Sequence, residues 1–380
     1  MLVNLALGER LDKRTGLASL RAKRTATVQR GSRGSVYTTS LTQSEAMWNA
    51  AATTPTLASP ILRYYSLLQA GRAVSASSPL PNSQWQAKGG HGLALVVPAN
   101  LEPKTASFAQ ILVQTDGSGA AQKLSEALNS PLLNEPASLL DLIAALPQQS
   151  LLTERQVLPH RSVSITPNPS MFPNLGPAMR WHDAPPALTA AMTLEPDSSL
   201  DLLKDALAPY PSLSNLPRTI GALPVTDAGM PPWIDVEFEP EVDPNDSSFF
   251  NGKFLSTSFW KRFIDIWRSP LPLLSFVSGL VLPAVGGNDQ PQHPLVTWHL
   301  VLYAFSMLAR YHSPFWSDLL DYDKNPDAVP LRLLVDQDSQ EALQLVELAI
   351  LGFLADEAAL ADAPVTGTDG AATGLTSPQS

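Results

Sequence analysis

Proline constrains this chain more than any other residue. Its 35 prolines are close to twice the usual share. They concentrate between Pro159 and Pro232, where no long helix can run uninterrupted. That stretch reads as loop and short strand, and helices belong on either side of it. A length of 380 residues with 44% apolar composition is enough for one large core. The absence of cysteine excludes disulfides, thiolate metal sites and a cysteine nucleophile.

Before the proline-rich middle, Thr42 and Glu45 are spaced as a capping box, which predicts a helix from about Ser40 that stops before Pro55. Ser59 and Pro60 predict a second helix, with Ile61, Tyr64, Tyr65 and Leu68 as its buried stripe. Leu93 to Val97 and Ile111 to Gln114 read as strands of a small sheet, and Ala120 to Leu128 and Ser138 to Leu146 as helices. Trp233 to Asp243 alternates apolar with acidic residues, a half-buried strand that Pro240 places near an edge. Leu295 to Tyr311 predicts a central buried helix and Ser339 to Leu354 an amphipathic closing one.

The fold class expected is therefore mostly α with a small β component (α+β), a multi-helix array with a proline-rich middle segment. Residues 1–36 carry a basic excess and read as a flexible segment. Residues 37–356 read as a single domain containing the proline-rich part at 155–235, and 357–380 as a disordered acidic tail. The helices from Pro60 and from Leu295 should pack together, because their stripes are too broad for solvent. The apolar runs Leu271 to Val285 and Leu295 to Ala309 fall short of the ~20 residues of a membrane span. The positive charges follow Met1 to Leu7 instead of preceding it, unlike a secretory signal, so a cytoplasmic location is expected. A net charge of −10 opposes a surface generally attractive to nucleic acid.

Phosphate-loop and nucleophile-elbow motifs are absent. The histidines His293, His299 and His312 lack the i, i+4 spacing of a helical zinc site, and His299 reads as a core histidine with a hydrogen-bonded partner. Asp321, Asp323 and Asn325 begin like a calcium loop, but Pro326 and Arg332 stand where glycine and glutamate are required. No metal and no cofactor is expected. The candidate binding residues are Arg63, Arg72, His91, Arg310 and His312. Arg63 and Arg72 are nine apart, on opposite faces of their helix, and Gly71 beside Arg72 leaves room for a ligand or a crossing helix. The Gly89 to Gly92 turn around His91 can bring backbone N–H groups near an oxyanion. His312 reads as a helix-end cation.

The segment Arg63 to Ala73 resembles the N-terminal signature helix of the YaaC-like family, and Trp85 with Gly90-His91-Gly92-Leu93 is similar to its next element. His293 to Trp298, then Leu302 to His312 and Trp316, resembles the family's C-terminal signature. The resemblance runs from about Leu17 to Phe353 and implies a bacterial cytosolic setting, with no catalytic residues to carry over. The expected function is a non-catalytic or regulatory protein binding a protein partner or small ligand through the signature helices and the Gly90 to Leu93 turn. The alternative is an enzyme acting on a phosphate-containing substrate, with those same candidates converging. A HEPN-type ribonuclease is an analogy only. That motif sets an arginine about four to six residues before a histidine, whereas Arg310 and His312 are two apart.

Overall fold

The structure, a computed structural model, describes residues 16–29, 31–87, 89–99, 101, 108–146, 163–168, 178–182, 208–210, 218–219, 235–238, 267–268 and 279–361. Its helical part begins with α1 (Gly16–Leu20), α2 (Gly31–Ala52) and α3 (Ser59–Ser77). The last two pack side by side and are locked by the Ser44 and Ser66 hydroxyls at 3.0 Å.

The helix expected from Ser40 begins instead at Gly31, at φ +80°. Thr42 is not its cap: the hydroxyl donates to the Thr38 carbonyl one turn back, and Glu45 pairs with Arg21 at 2.7 Å. Pro60 lies in the first turn of α3 as expected, although Ala58 rather than Ser59 stands at the cap and makes no side-chain bond there. At the other end of α3, buried Arg33 donates to the carbonyls of Ala76, Ser78 and Leu80 at 2.7–2.8 Å. A guanidinium thus satisfies the carbonyls that a helix terminus leaves open.

A small antiparallel sheet follows, β1 (Leu93–Val96), β2 (Leu112–Thr115) and β3 (Ala137–Ser138), in the order β1-β2-β3. The helices α4 (Ala120–Ala127) and α5 (Leu139–Ala144) lie beside it in the chain. α4 crosses α3 at Gly71, where an added Cβ would stand 3.6 Å from Leu124, so the room beside Arg72 is taken by a helix.

In and beyond the proline-rich middle, the described residues form a second antiparallel sheet of β4 (Val163–Asn168), β5 (Ala178–His182), β6 (Arg218–Thr219), β7 (Asp235–Phe238), β8 (Trp267–Arg268) and β9 (Gly279–Val281). Its strand order is β6-β7-β5-β4-β9-β8. The alternating acidic strand is β7, and it is not an edge: it pairs with β6 on one side and β5 on the other. Pro240 and Asp243 lie outside the described residues.

α6 (Pro294–Tyr311) runs through the core, with every residue from Pro294 to Ser306 buried. It packs on α3, as expected of the two aromatic helices, and also on α4 and α5. α7 (Ser313–Leu319), α8 (Ala328–Asp336) and α9 (Glu341–Ala361) complete the array. Two tryptophans fasten it, Trp298 donating to Glu341 at 3.1 Å and Trp316 to the Leu57 carbonyl at 3.0 Å. One apolar cluster extends from Leu17 to Ile350. Residues 16–36, read from sequence as part of a flexible segment, contribute Leu17, Leu20 and Val28 to it. The helix α9 extends past residue 357 to Ala361. No helix among the described residues is long and apolar enough to cross a membrane.

Candidate functional site

The packing of α3 on α6 gathers polar and aromatic groups from three places. On α6, His299, Tyr303 and Arg310 fall within about 40° of one another at ~100° per residue. On α3, Tyr65 and Arg72 are seven apart and share a face by the same count. The third contributor is the turn carrying His91 between Gly90 and Gly92, which adopt φ +71° and +73°. Only glycine enters that region cheaply. Gly92 also meets Gly119 backbone to backbone, since a Cβ on Gly119 would stand 2.3 Å from the Gly92 nitrogen.

Tyr64 is the hub of the cluster. Its ring centroid lies 5.3 Å from His91, 5.3 Å from His299 and 5.5 Å from Tyr303. Its hydroxyl and the His91 Nδ1 share a hydrogen bond of 2.7 Å. Tyr303 donates to the Leu93 carbonyl at 2.8 Å, tying α6 to the first residue of β1. At the solvent side, Arg310 donates to the hydroxyls of Tyr65 and Tyr311, both at 3.0 Å, and lies 4.8 Å from the Tyr311 ring centre.

The electrostatics divide the site into a neutral floor and a positive mouth. Burial, then Arg310 and Arg72, holds the His91 imidazole below its ordinary value. Burial, reinforced by the neighbouring Tyr303 and Tyr65, raises the Tyr64 phenol well above its usual range. Both groups are therefore neutral at physiological pH. His299 is 1% exposed, and burial, with His91 adding to it, pushes its pKa down to about 3. Neither of its ring nitrogens has a hydrogen-bond partner, which corrects the expectation of a bonded core histidine. Arg72 and Arg310 are exposed, and among the described residues neither has a carboxylate within salt-bridge distance. Among the described residues, Arg72 donates to the Gln69 side-chain carbonyl, at 3.3 Å.

Of the five candidate residues, two, Arg72 and Arg310, thus act on a third, His91. Arg63 does not join them. It is 3% exposed on the other face of α3, lies 5.1 Å from the Trp48 ring centre and pairs with Asp336 at 3.8 Å. His312 is at the α6–α7 junction, its N–H bonded to the Leu308 carbonyl and its own carbonyl accepting from Trp316. The carbonyls of the glycine turn are tied to the elements beside it, Gly92 accepting from the Asp116 N–H at 3.0 Å. Its Gly90 and His91 carbonyls accept from Ala120 and Ala121 at 3.3 and 3.2 Å, occupying the first N–H groups of α4.

Sequence reasoning gave Tyr64, Tyr65 and His299 to the core and assigned no role to Tyr303. The signal available was the i, i+4, i+11 placement of a histidine, a tyrosine and an arginine along an otherwise apolar helix. Among the described residues, no group of three or more histidines and carboxylates could hold a metal ion. The arrangement can bind an anion at its mouth and offer a neutral imidazole as hydrogen-bond partner or proton acceptor behind it.

No curated protein and no solved structure matches the chain. The family described as YaaC-like Protein matches residues 17–212 and 237–350, which contain every residue of the cluster. With most of its length matched in two blocks on either side of β7's approach, the chain belongs to the YaaC-like family.

Proposed function

We propose that this chain is a non-catalytic or regulatory protein that binds the anionic group, carboxylate or phosphate, of a small ligand between Arg72, His91 and Arg310. The observation that carries the reading is the pair of exposed guanidinium groups acting on one half-buried imidazole, neither of them within salt-bridge distance of a carboxylate among the described residues. Paired donors of this kind bind oxyanions with charge-assisted hydrogen bonds. The absence of cysteine and the net charge of −10 agree with a bacterial cytoplasmic setting, which is part of the same proposal.

Calorimetric titration with inorganic phosphate at low ionic strength tests it. Arg72→Ala and Arg310→Ala should each remove the binding heat. Their melting temperatures should move by only a few degrees, as for surface changes costing under ~1 kcal/mol. Unchanged heats in both variants would sink the reading.

One observation favours the enzymatic alternative, action on a phosphate-containing substrate. His91 is neutral, hydrogen-bonded to Tyr64 and under the influence of both guanidinium groups, an arrangement suited to accepting a proton from an attacking group. His91→Gln separates the two. A binder keeps most of its phosphate affinity, whereas an enzyme loses turnover of a phosphate ester such as p-nitrophenyl phosphate. The ribonuclease version receives no support, because it requires His312, which stands outside the cluster.

A further inference from the structure

Arg72 also forms part of a different wall. Between α2, α3 and the amino end of α4 lies a cleft of about 410 Å³, within the ~300–1,000 Å³ typical of small-ligand sites. Its α2 side presents Ser35, Thr39 and Gln43, spaced i, i+4, i+8 and therefore one polar stripe, and all three are exposed. Gln69 faces them from α3 and Gln86 from the loop beyond it. Among the described residues, the charged members of the lining are Arg72 and Lys123, and none is a carboxylate. The Lys123 ammonium is 2.6 Å from Glu126 and has further donors to offer.

We infer that this cleft is a second binding site, for a polyhydroxylated small molecule carrying one phosphate, a sugar phosphate by class. Uncharged hydroxyl and amide groups in a row match the alternating donors and acceptors of a polyol, and the cations Arg72 and Lys123 match a single phosphate dianion. A nucleotide fits less well because the lining has no open ring for a base. Trp85 is its one aromatic residue, is 6% exposed, and has Arg33 stacked at 5.3 Å from its centre. Apolar contact is confined to Val36, Ala87 and Ala120 beside that tryptophan, too little for a lipid-like ligand.

Calorimetric titrations of the full chain with glucose 6-phosphate, glucose and inorganic phosphate test the inference. Glucose 6-phosphate should bind at least tenfold more tightly than either of the other two. The double variant Thr39→Leu with Gln43→Leu, which changes exposed positions only, should weaken glucose 6-phosphate at least tenfold. It should leave inorganic phosphate binding at the α3–α6 mouth unchanged, so that failure at one site is readable apart from failure at the other. Equal affinities for glucose 6-phosphate and phosphate would overturn the assignment. So would glucose 6-phosphate binding that survives the double variant but vanishes in Arg310→Ala, since the ligand would then occupy the mouth.

Discussion

His299 is unusual among the residues of the site because its ring is buried and neither nitrogen is bonded. A stranded polar atom costs stability, and protonating it in place would cost more, since the Tyr64 ring from α3 packs on it, His91 from the turn opposes its charge, and Tyr303 follows one turn on along its own helix. None of these supplies a negative charge at neutral pH. The folded pKa of about 3 lies below the ordinary 6.5, so between those values the unfolded chain takes up a proton that the folded chain does not. Stability from this group is complete above pH 6.5 and drains away as pH falls through that window, by ~1.4 kcal/mol for each pH unit. His293, whose Nδ1 accepts from the Leu295 N–H at the start of α6, behaves alike, with its pKa also pushed to about 3. Melting temperatures should therefore hold from pH 7.5 to about 6.5 and fall from there to pH 5, and His299→Phe should reduce that slope, leaving the His293 share. An unchanged slope in that variant would mean that His299 is not the group responsible.

At the scale of elements, α3 shows two arginines with opposite fates nine residues apart. Arg63 is buried against Trp48, Asp336 and the start of the next turn. Arg63→Ala should cost about 2–3 kcal/mol through lost packing and a deserted Asp336, and Arg63→Met, which keeps the aliphatic stem, should recover part of it. Arg72→Ala should cost little, and a denaturant titration of the three variants orders them. This opposition was legible in the sequence from helical spacing, as were Pro60 at the start of α3, the strands β1 and β2, and the burial of α6. The start of α2 was not. The stretch Gly31 to Ser40 is rich in serine, threonine and glycine, offers no apolar periodicity, and gains its helical state from packing on α3 rather than from propensity. The six-stranded sheet was hidden for a different reason. Its β4–β9 pairing, Val163 with Val281, joins residues more than a hundred apart, and β5 meets β7 across more than fifty, while only β7 carries a long alternation. For the site, Arg72, His91 and Arg310 could be picked out as polar residues with no task in folding. Tyr64, His299 and Tyr303 could not, because aromatic side chains at helical spacing look the same in sequence whether they fill a core or line a pocket.

Over the whole molecule, the oppositely charged ends of the described chain meet. The carboxylate of Glu357 in α9 accepts from the Ala26 N–H at 2.9 and 3.1 Å, and Lys23 acts on Glu347, whose pKa burial raises and that lysine draws back. Charge is the smaller part of this contact, because the Ala26–Glu357 bond is exposed and the Lys23 charge only offsets part of the cost of burying Glu347. The larger part is apolar: Leu17 at 6% exposure and Leu20 and Val28 at 0% belong to the same cluster as α3, α6 and α9. The Leu20 and Lys23 carbonyls also accept from the buried Tyr37 hydroxyl, at 2.8 and 2.9 Å. Burying each such side chain is worth ~1.5–3 kcal/mol, so removing all three forfeits roughly 5 kcal/mol or more, a large share of the 5–15 kcal/mol that holds an ordinary domain. Deleting residues 1–29 should therefore lower the melting temperature by more than ~10 °C or prevent soluble expression. Glu357→Ala, which removes only an exposed acceptor, should cost under ~1 kcal/mol. Circular dichroism melts of the two variants decide between a terminal segment built into the core and one merely lying on it. A deletion variant that melts within a few degrees of the full chain would show that α9, α3 and α6 close the core without help from residues 16–29.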